Sequence, residues 1–213
     1  MSGATKIAIG WVEQGLVPDT VIRQGIRRLL AKRLKEIGTD DAEGAVAQLD
    51  QVVAAMSSAP VALVPELANA QHYEVPSAFF SQVLGPRRKY SACLWRPGVD
   101  DLATAERAAL AETCVHADLR DGQDILELGC GWGSLTIWMA KNYPQSRITA
   151  VSNSSSQREY ILKHAQLAGL TNIEVFTADM NYFEPGERFD RVVSVEMFEH
   201  MRNWATLFGR VHG

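Results

Sequence analysis

Apolar side chains in residues 18–37 recur at Val21, Ile22, Ile26, Leu29, Leu30, Ala31 and Leu34. That spacing is near 3.6 residues and predicts an amphipathic helix. Asp19 and Thr20 supply N-terminal cap chemistry, and Gly38 supplies a stop. Residues 40–57 repeat the pattern with Ala45, Leu49, Val52, Val53 and Met56 on one face, so the two segments are able to pair as a helical hairpin. Residues 58–70 carry Pro60 and Pro65 and read as a connector. A short helix is expected over 76–84, stopped at Gly85-Pro86. An alanine-rich helix carrying Glu106 and Arg107 is expected over 102–117.

From residue 121 the pattern changes. Short apolar runs at 124–128, 147–151, 172–176 and 189–195 read as strands. Helical segments follow the first, second and fourth: one running to about Tyr143, one over 156–168 ended by Gly169, and one over 202–211. Strand and helix alternating in this way predict right-handed parallel βαβ units and an α/β fold. An open sheet of four strands, ending inside a helix, is expected to be an incomplete α/β domain. The expected division is a helical region over 1–70, a helical cap over 71–120 and the α/β part over 121–213.

Composition narrows the class. With 213 residues, 46% of them hydrophobic, the chain is able to bury one core and a smaller attached element. A formal net charge of -4 argues against a general nucleic-acid binder. Arg23, Arg27, Arg28, Lys32, Arg33 and Lys35 read first as a solvated helix face, and second as a weak contact with an anionic membrane surface. Cys93, Cys114 and Cys130 are odd in number and form no CxxC pair, which fits a reducing, cytoplasmic compartment without disulfides or structural zinc. Ile7, Ala8, Ile9, Trp11 and Val12 around Gly10 are too short and broken a run for a signal sequence. No stretch approaches the roughly 20 apolar residues of a membrane span.

Three motifs carry chemistry. ELGCGWG, residues 127–133, sits between the first strand and its helix. Glycines there allow a tight turn and close approach of a ligand, and the helix start offers free N–H groups. Dinucleotide sites prefer GxGxxG with an acid about 20 positions on. Here the glycines fall as GxGxG, Glu127 precedes them, and the second strand ends in Ser152-Asn153. A carboxylate before the turn suits a cationic group such as an amino-acid ammonium, and Asn153 suits ribose hydroxyls. TADMNYF, residues 177–183, follows the third strand and offers Asp179 to an exocyclic amine and Met180 to a purine face. VEMFEH, residues 195–200, gathers Glu196, Glu199 and His200 where the fourth strand stops. Carboxylate and imidazole together suit a cationic substrate and proton transfer near neutral pH. A metal site from these three fits the spacing but lacks the paired-histidine zinc pattern, so no metal is expected.

As a set, HYEVPSAFF, YSACLW, ILELGCGWGSLT, VSNSSSQ and VEMFEHMRNW resemble the class I S-adenosylmethionine-dependent methyltransferases. More narrowly they resemble the branch of the cyclopropane fatty acid synthases and the coclaurine-type N-methyltransferases. The resemblance covers residues 72–204 and implies a Rossmann-like seven-stranded sheet, of which this chain supplies the first four strands, so that the fragment alone is able to be inactive. It implies S-adenosyl-L-methionine as cofactor. Tyr90 and Ser91 are then expected over its methionine part, Glu127, Gly129 and Gly131 at the amino-acid end, Asn153 and Gln157 at the ribose, and Asp179 and Met180 at the adenine. Residues 71–120 become a cofactor-covering segment. Glu199, His200 and Glu196 are the expected catalytic residues.

The resemblance also separates two activities. Cyclopropane synthases typically have a glycine where Glu196 stands, and a YSCA-like segment whose cysteine is shifted by one from the Ala92-Cys93 order here. Coclaurine-type enzymes carry Glu-Met-Phe-Glu-His, as this chain does. The expected partner is therefore a small amine, with an unsaturated acyl chain as the alternative and a non-catalytic cofactor-binding product as a third. A homodimer is left open. Trp95 and Trp204 are candidates for a cation pocket, and His72 for a substrate contact or a structural hydrogen bond.

Overall fold

A computed structural model describes residues 3–37, 41–63 and 77–212, which fall into two compact units, Met1–Ala55 and Met56–Gly213. The first unit holds α1 (Gly3–Glu13), α2 (Asp19–Ile37) and most of α3 (Ala42–Ser57). The sequence pattern anticipates α2 and α3. It does not anticipate α1, whose glycine-broken apolar run obscures the helical period. Neither α2 nor α3 has a buried residue. On α2, Arg23 pairs with Asp19, and Lys32 and Arg33 pair with Glu36. Such exposed pairs add little stability. The expected boundaries at Gly38 and Asp40 lie outside the described residues, as does His72. Among the described residues no helix is long and apolar enough to cross a membrane.

The second unit carries the sheet. Its elements are α4 (Ser77–Val83), α5 (Leu102–His116), β1 (Asp124–Leu128), α6 (Ser134–Asn142), β2 (Arg147–Ser152), α7 (Ser155–Leu167), β3 (Ile173–Thr177), β4 (Arg191–Ser194), a single 3-10 turn (Phe198–His200) and α8 (Trp204–His212). Asp101 caps α5 by accepting the Thr104 N–H at 2.9 Å, and Ser154 caps α7 through the Gln157 N–H. The strand order is β3-β2-β1-β4, every pair parallel, with Leu128 beside Val151 and Ser194. β4 is shorter than the 189–195 expected because the chain leaves β1 after Ser194 and turns at Glu196, where φ is 54°.

Side chains are buried on both faces of the central strands, while on β3 Glu174 and Phe176 remain exposed. Ile125, Ile148 and Val193 pack with Leu110, Leu135 and Met139 on one side. Leu126, Leu128 and Val151 pack with Met197 and Leu207 on the other. All four strands run the same way, so their carboxyl ends meet at one edge. The segments that leave that edge carry all three motifs, which is where an open α/β sheet binds ligands.

Candidate active site

The glycine turn hangs on β2. The Gly129 and Cys130 N–H groups donate to the Val151 carbonyl at 2.9 and 3.0 Å. Gly133 begins α6 at φ 76°, and a Cβ there would come within 2.4 Å of Ile161 on α7, so the close packing of the two helices requires glycine. Gly131 differs: at φ 52° nothing lies within 4 Å of an added Cβ, because its free side faces open space.

Two cavities open at this edge. The larger, about 380 Å³, is lined by Asn153 after β2, Asp179 and Met180 after β3, and Ala62 and Leu63. The smaller, about 130 Å³, is lined by Tyr90, Ser91, Glu127 and Trp132. Gly129, Gly131, Gln157, Glu196, Glu199 and His200 line both. Every expected cofactor-binding and catalytic residue is therefore brought to one place. The acid–imidazole cluster stands at the boundary between the two spaces.

Glu127 is 4% exposed and accepts the Thr136 hydroxyl at 2.5 Å. Burial pushes its carboxyl up to about 8, and the Thr136 bond offsets only part of that. Gln157 is held from one end, its Oε1 accepting the Ser152 hydroxyl at 2.6 Å. Asp179 accepts the Asn181 N–H at 2.8 Å and still lines the larger cavity. Glu196 reaches across to accept the Ala92 N–H at 3.0 Å. It does so from a left-handed backbone that favours glycine, so the glycine typical of the synthases at this position is accommodated by the same turn.

Several features escape the sequence pattern. The described part of the segment read as a connector, residues 58–63, forms a roof: the Asn181 side chain accepts the Ala62 N–H at 2.8 Å and donates to its carbonyl at 2.9 Å. The Arg202 N–H donates to Val61 at 2.6 Å, and Asn203 donates to Ser57 and Ala59, both at 2.9 Å. The buried Lys89 donates to Ser91 Oγ and the Ala92 carbonyl, both at 2.5 Å, and burial lowers its pKa. It thereby fixes the loop that Glu196 holds from the other side. Trp95 and Trp204 line neither cavity; Trp204 Nε1 instead donates to the carbonyls of Phe198 and Met201, closing the 3-10 turn that presents Glu199 and His200. Cys93 lines neither cavity, and burial raises its thiol pKa. His164 is half-buried against the Tyr160 ring at 3.8 Å between centroids. Among the described residues no three His, Cys, Asp or Glu side chains converge as a metal site.

The fold is that of the class I S-adenosylmethionine-dependent methyltransferases. Residues 65–213 match the family described as mycolic acid cyclopropane synthetase, and the chain belongs to that family. It is 37% identical over 200 residues to an (S)-coclaurine N-methyltransferase of Thalictrum flavum subsp. glaucum, covering 94% of this chain and 55% of that protein. It is 33% identical over 147 residues to the cyclopropane-fatty-acyl-phospholipid synthase of Escherichia coli strain K12, covering 68% of this chain and 37% of that one. A coclaurine N-methyltransferase crystal structure bound to N-methylheliamine and SAH superposes with a TM-score of 0.86 at 36% identity, over 98% of this chain and 60% of that chain. A mycolic acid cyclopropane synthase complexed with SAH gives 0.57 at 27% identity, over 64% of this chain and 47% of that chain. The chain thus spans a little over half the length of the coclaurine N-methyltransferases it matches.

Proposed function

We propose that this protein is an S-adenosylmethionine-dependent methyltransferase acting on the nitrogen of a small amine. One observation carries the reading: Glu196, Glu199 and His200 line the boundary between a nucleoside-sized cavity and a smaller one. The residues fit the cofactor on grounds internal to the chain. Burial keeps the Glu127 carboxyl protonated until a cation meets it, and Gln157 Nε2, Trp132 Nε1 and Ser134 Oγ are buried without partners. Glu127, Gly129 and Gly131 would hold the amino-acid end with Tyr90 and Ser91 above it; Asn153 and Gln157 would hold the ribose, and Asp179 and Met180 the adenine.

The cofactor, when bound, supplies an activated methyl group on a sulfonium. The remaining work belongs to the chain. An amine attacks only when unprotonated, and the carboxylates of Glu199 and Glu196 draw a cationic substrate to the site. Glu199 or His200 then takes the nitrogen-bound proton, and a fixed approach of the amine contributes much of the rate. Support for nitrogen over an alkene comes from the Glu196 side chain, which a glycine cannot supply, and from the longer and closer match to the coclaurine enzyme. We propose further that the protein works in a reducing, cytoplasmic compartment, in keeping with its three free cysteines, two of them buried. A secondary proposal is weak contact of the exposed basic face of α2 with an anionic membrane surface.

The deciding experiment gives full-length protein methyl-labelled S-adenosylmethionine with two acceptor pools, amines and unsaturated phospholipids. Label on nitrogen is the expected result. Label in a ring methylene would replace this reading with cyclopropanation.

A further inference from the structure

Of the five buried side-chain polar atoms without a partner among the described residues, four belong to residues lining the smaller cavity: Arg88 Nη1, Trp132 Nε1, Ser134 Oγ and Gln157 Nε2. Trp132 and Gln157 are each only 2% exposed, so water outside the protein does not serve them. Three of these atoms can only donate. A pocket whose unmet demand is for acceptors is built around an anion. The same pocket also holds the buried Glu127 carboxyl, an acid that a ligand cation would bring to its ionised form. Unpartnered donors and a buried acid together complement a zwitterion.

Arg88 is the charged member of the donor set, and its placement is over-determined. It adopts φ 49°, a backbone that L side chains rarely take. Its own N–H donates to Gly85 at 2.9 Å. The N–H groups on either side of it, Arg87 and Lys89, donate to the fully buried Glu106 carboxylate at 3.1 and 3.2 Å. Gly85 lies so close to that carboxylate that a Cβ there would sit 2.5 Å from it. The guanidinium lies over the Tyr160 ring at 4.1 Å and the Trp132 ring at 5.5 Å, which orients its plane without using its N–H groups. A strained backbone held from three sides, with a guanidinium stacked in place and one nitrogen unused, points to a ligand.

We propose that Arg88, supported by Trp132 and Ser134, holds the carboxylate of the cofactor's amino-acid end. The clamp makes the site selective for nucleosides that carry a complete zwitterionic amino acid. The inference rests on the reading of these cavities as an S-adenosylmethionine site and assigns residues that the sequence motifs do not.

The test is binding, read by calorimetry with three ligands: S-adenosylhomocysteine, its decarboxylated analogue and 5′-methylthioadenosine. The unsubstituted protein should prefer S-adenosylhomocysteine to the decarboxylated analogue by about 10- to 100-fold, the range of a charge-assisted hydrogen bond. Arg88→Met should erase most of that preference while 5′-methylthioadenosine affinity stays within about threefold, which also certifies the fold. Trp132→Phe, which keeps the ring and removes the donor, should narrow the preference by a smaller factor. A preference that survives Arg88→Met, or an equal loss for all three ligands, overturns the inference and leaves the cofactor reading standing. Failure of the unsubstituted protein to bind any of the three overturns the cofactor reading and this inference with it.

Discussion

Replacing Glu199 with glutamine is expected to lower methyl transfer to an amine by about 100-fold, with S-adenosylhomocysteine affinity within about threefold of the unsubstituted protein. The substitution keeps the side chain's size and removes its charge and proton affinity. Glu199 takes part in no described hydrogen bond or ion pair, and it lines both cavities, so the loss falls on chemistry rather than on the fold. Single-turnover kinetics separate it from slow product release, and His200→Gln is the paired experiment. If Glu199 takes the proton, its substitution is the more damaging; the reverse order moves that role to His200. Unchanged turnover in both variants removes the cluster from the mechanism. Glu196 is a different case, because its carboxylate also holds the Ala92 N–H. Its substitution is expected to weaken amine binding and to loosen the loop above the site together.

The second large effect concerns Glu127. Its folded-state pKa of about 8 lies above the ordinary 4.5, and the cause is burial. Between those two values the folded chain holds a proton that the unfolded chain has released. The sign follows: this group favours folding at low pH, and its contribution falls as pH rises from 4.5 towards 8. A ligand ammonium reverses the preference, because it needs the carboxylate. Binding of S-adenosylhomocysteine should therefore release a proton and strengthen from pH 6 to pH 8, approaching about tenfold per unit at the acid end. Glu127→Gln still accepts the Thr136 hydroxyl and should flatten the profile, with affinity near pH 8 reduced by roughly 10- to 100-fold. Calorimetry in buffers of different ionisation enthalpy reads the released proton directly. A flat profile in the unsubstituted protein would mean that no cation meets Glu127.

The α/β part of the fold was legible because its signals are local. Apolar runs of five residues, a glycine turn and alternating helices fix β1, β2 and their crossover without reference to anything distant. The positions of the expected residues after β1 to β4 were legible for a related reason: parallel strands end at one edge, so placing the strands places the residues that follow them, whereas Tyr90 and Ser91, which precede β1, came from the resemblance alone. What the sequence hid depends on tertiary direction. Arg87, Arg88 and Lys89 are three consecutive cations in the sequence. Their side chains in fact diverge: Arg87 donates to the Ala103 carbonyl at 3.2 Å, Arg88 enters the smaller cavity, and Lys89 braces Ser91 and Ala92. The left-handed turns at Arg88 and Glu196 leave no trace in residue type, because neither is glycine. The roof over the larger cavity is held by Asn181, Arg202 and Asn203, each more than 100 positions from its partner, and no periodicity encodes such bonds.

These residues form one arrangement. In the proposed function the β1 turn and the caps of β2 and β3 would hold a nucleoside and its amino acid, and the residues after β4 would face the point where the two join. A crystal structure of the protein with S-adenosylhomocysteine tests that arrangement most directly. The account predicts adenosine density in the larger cavity, the amino-acid end in the smaller one, and the sulfur beside Glu199 and His200. Density for the nucleoside elsewhere, or Glu196, Glu199 and His200 turned away from the sulfur, would contradict it.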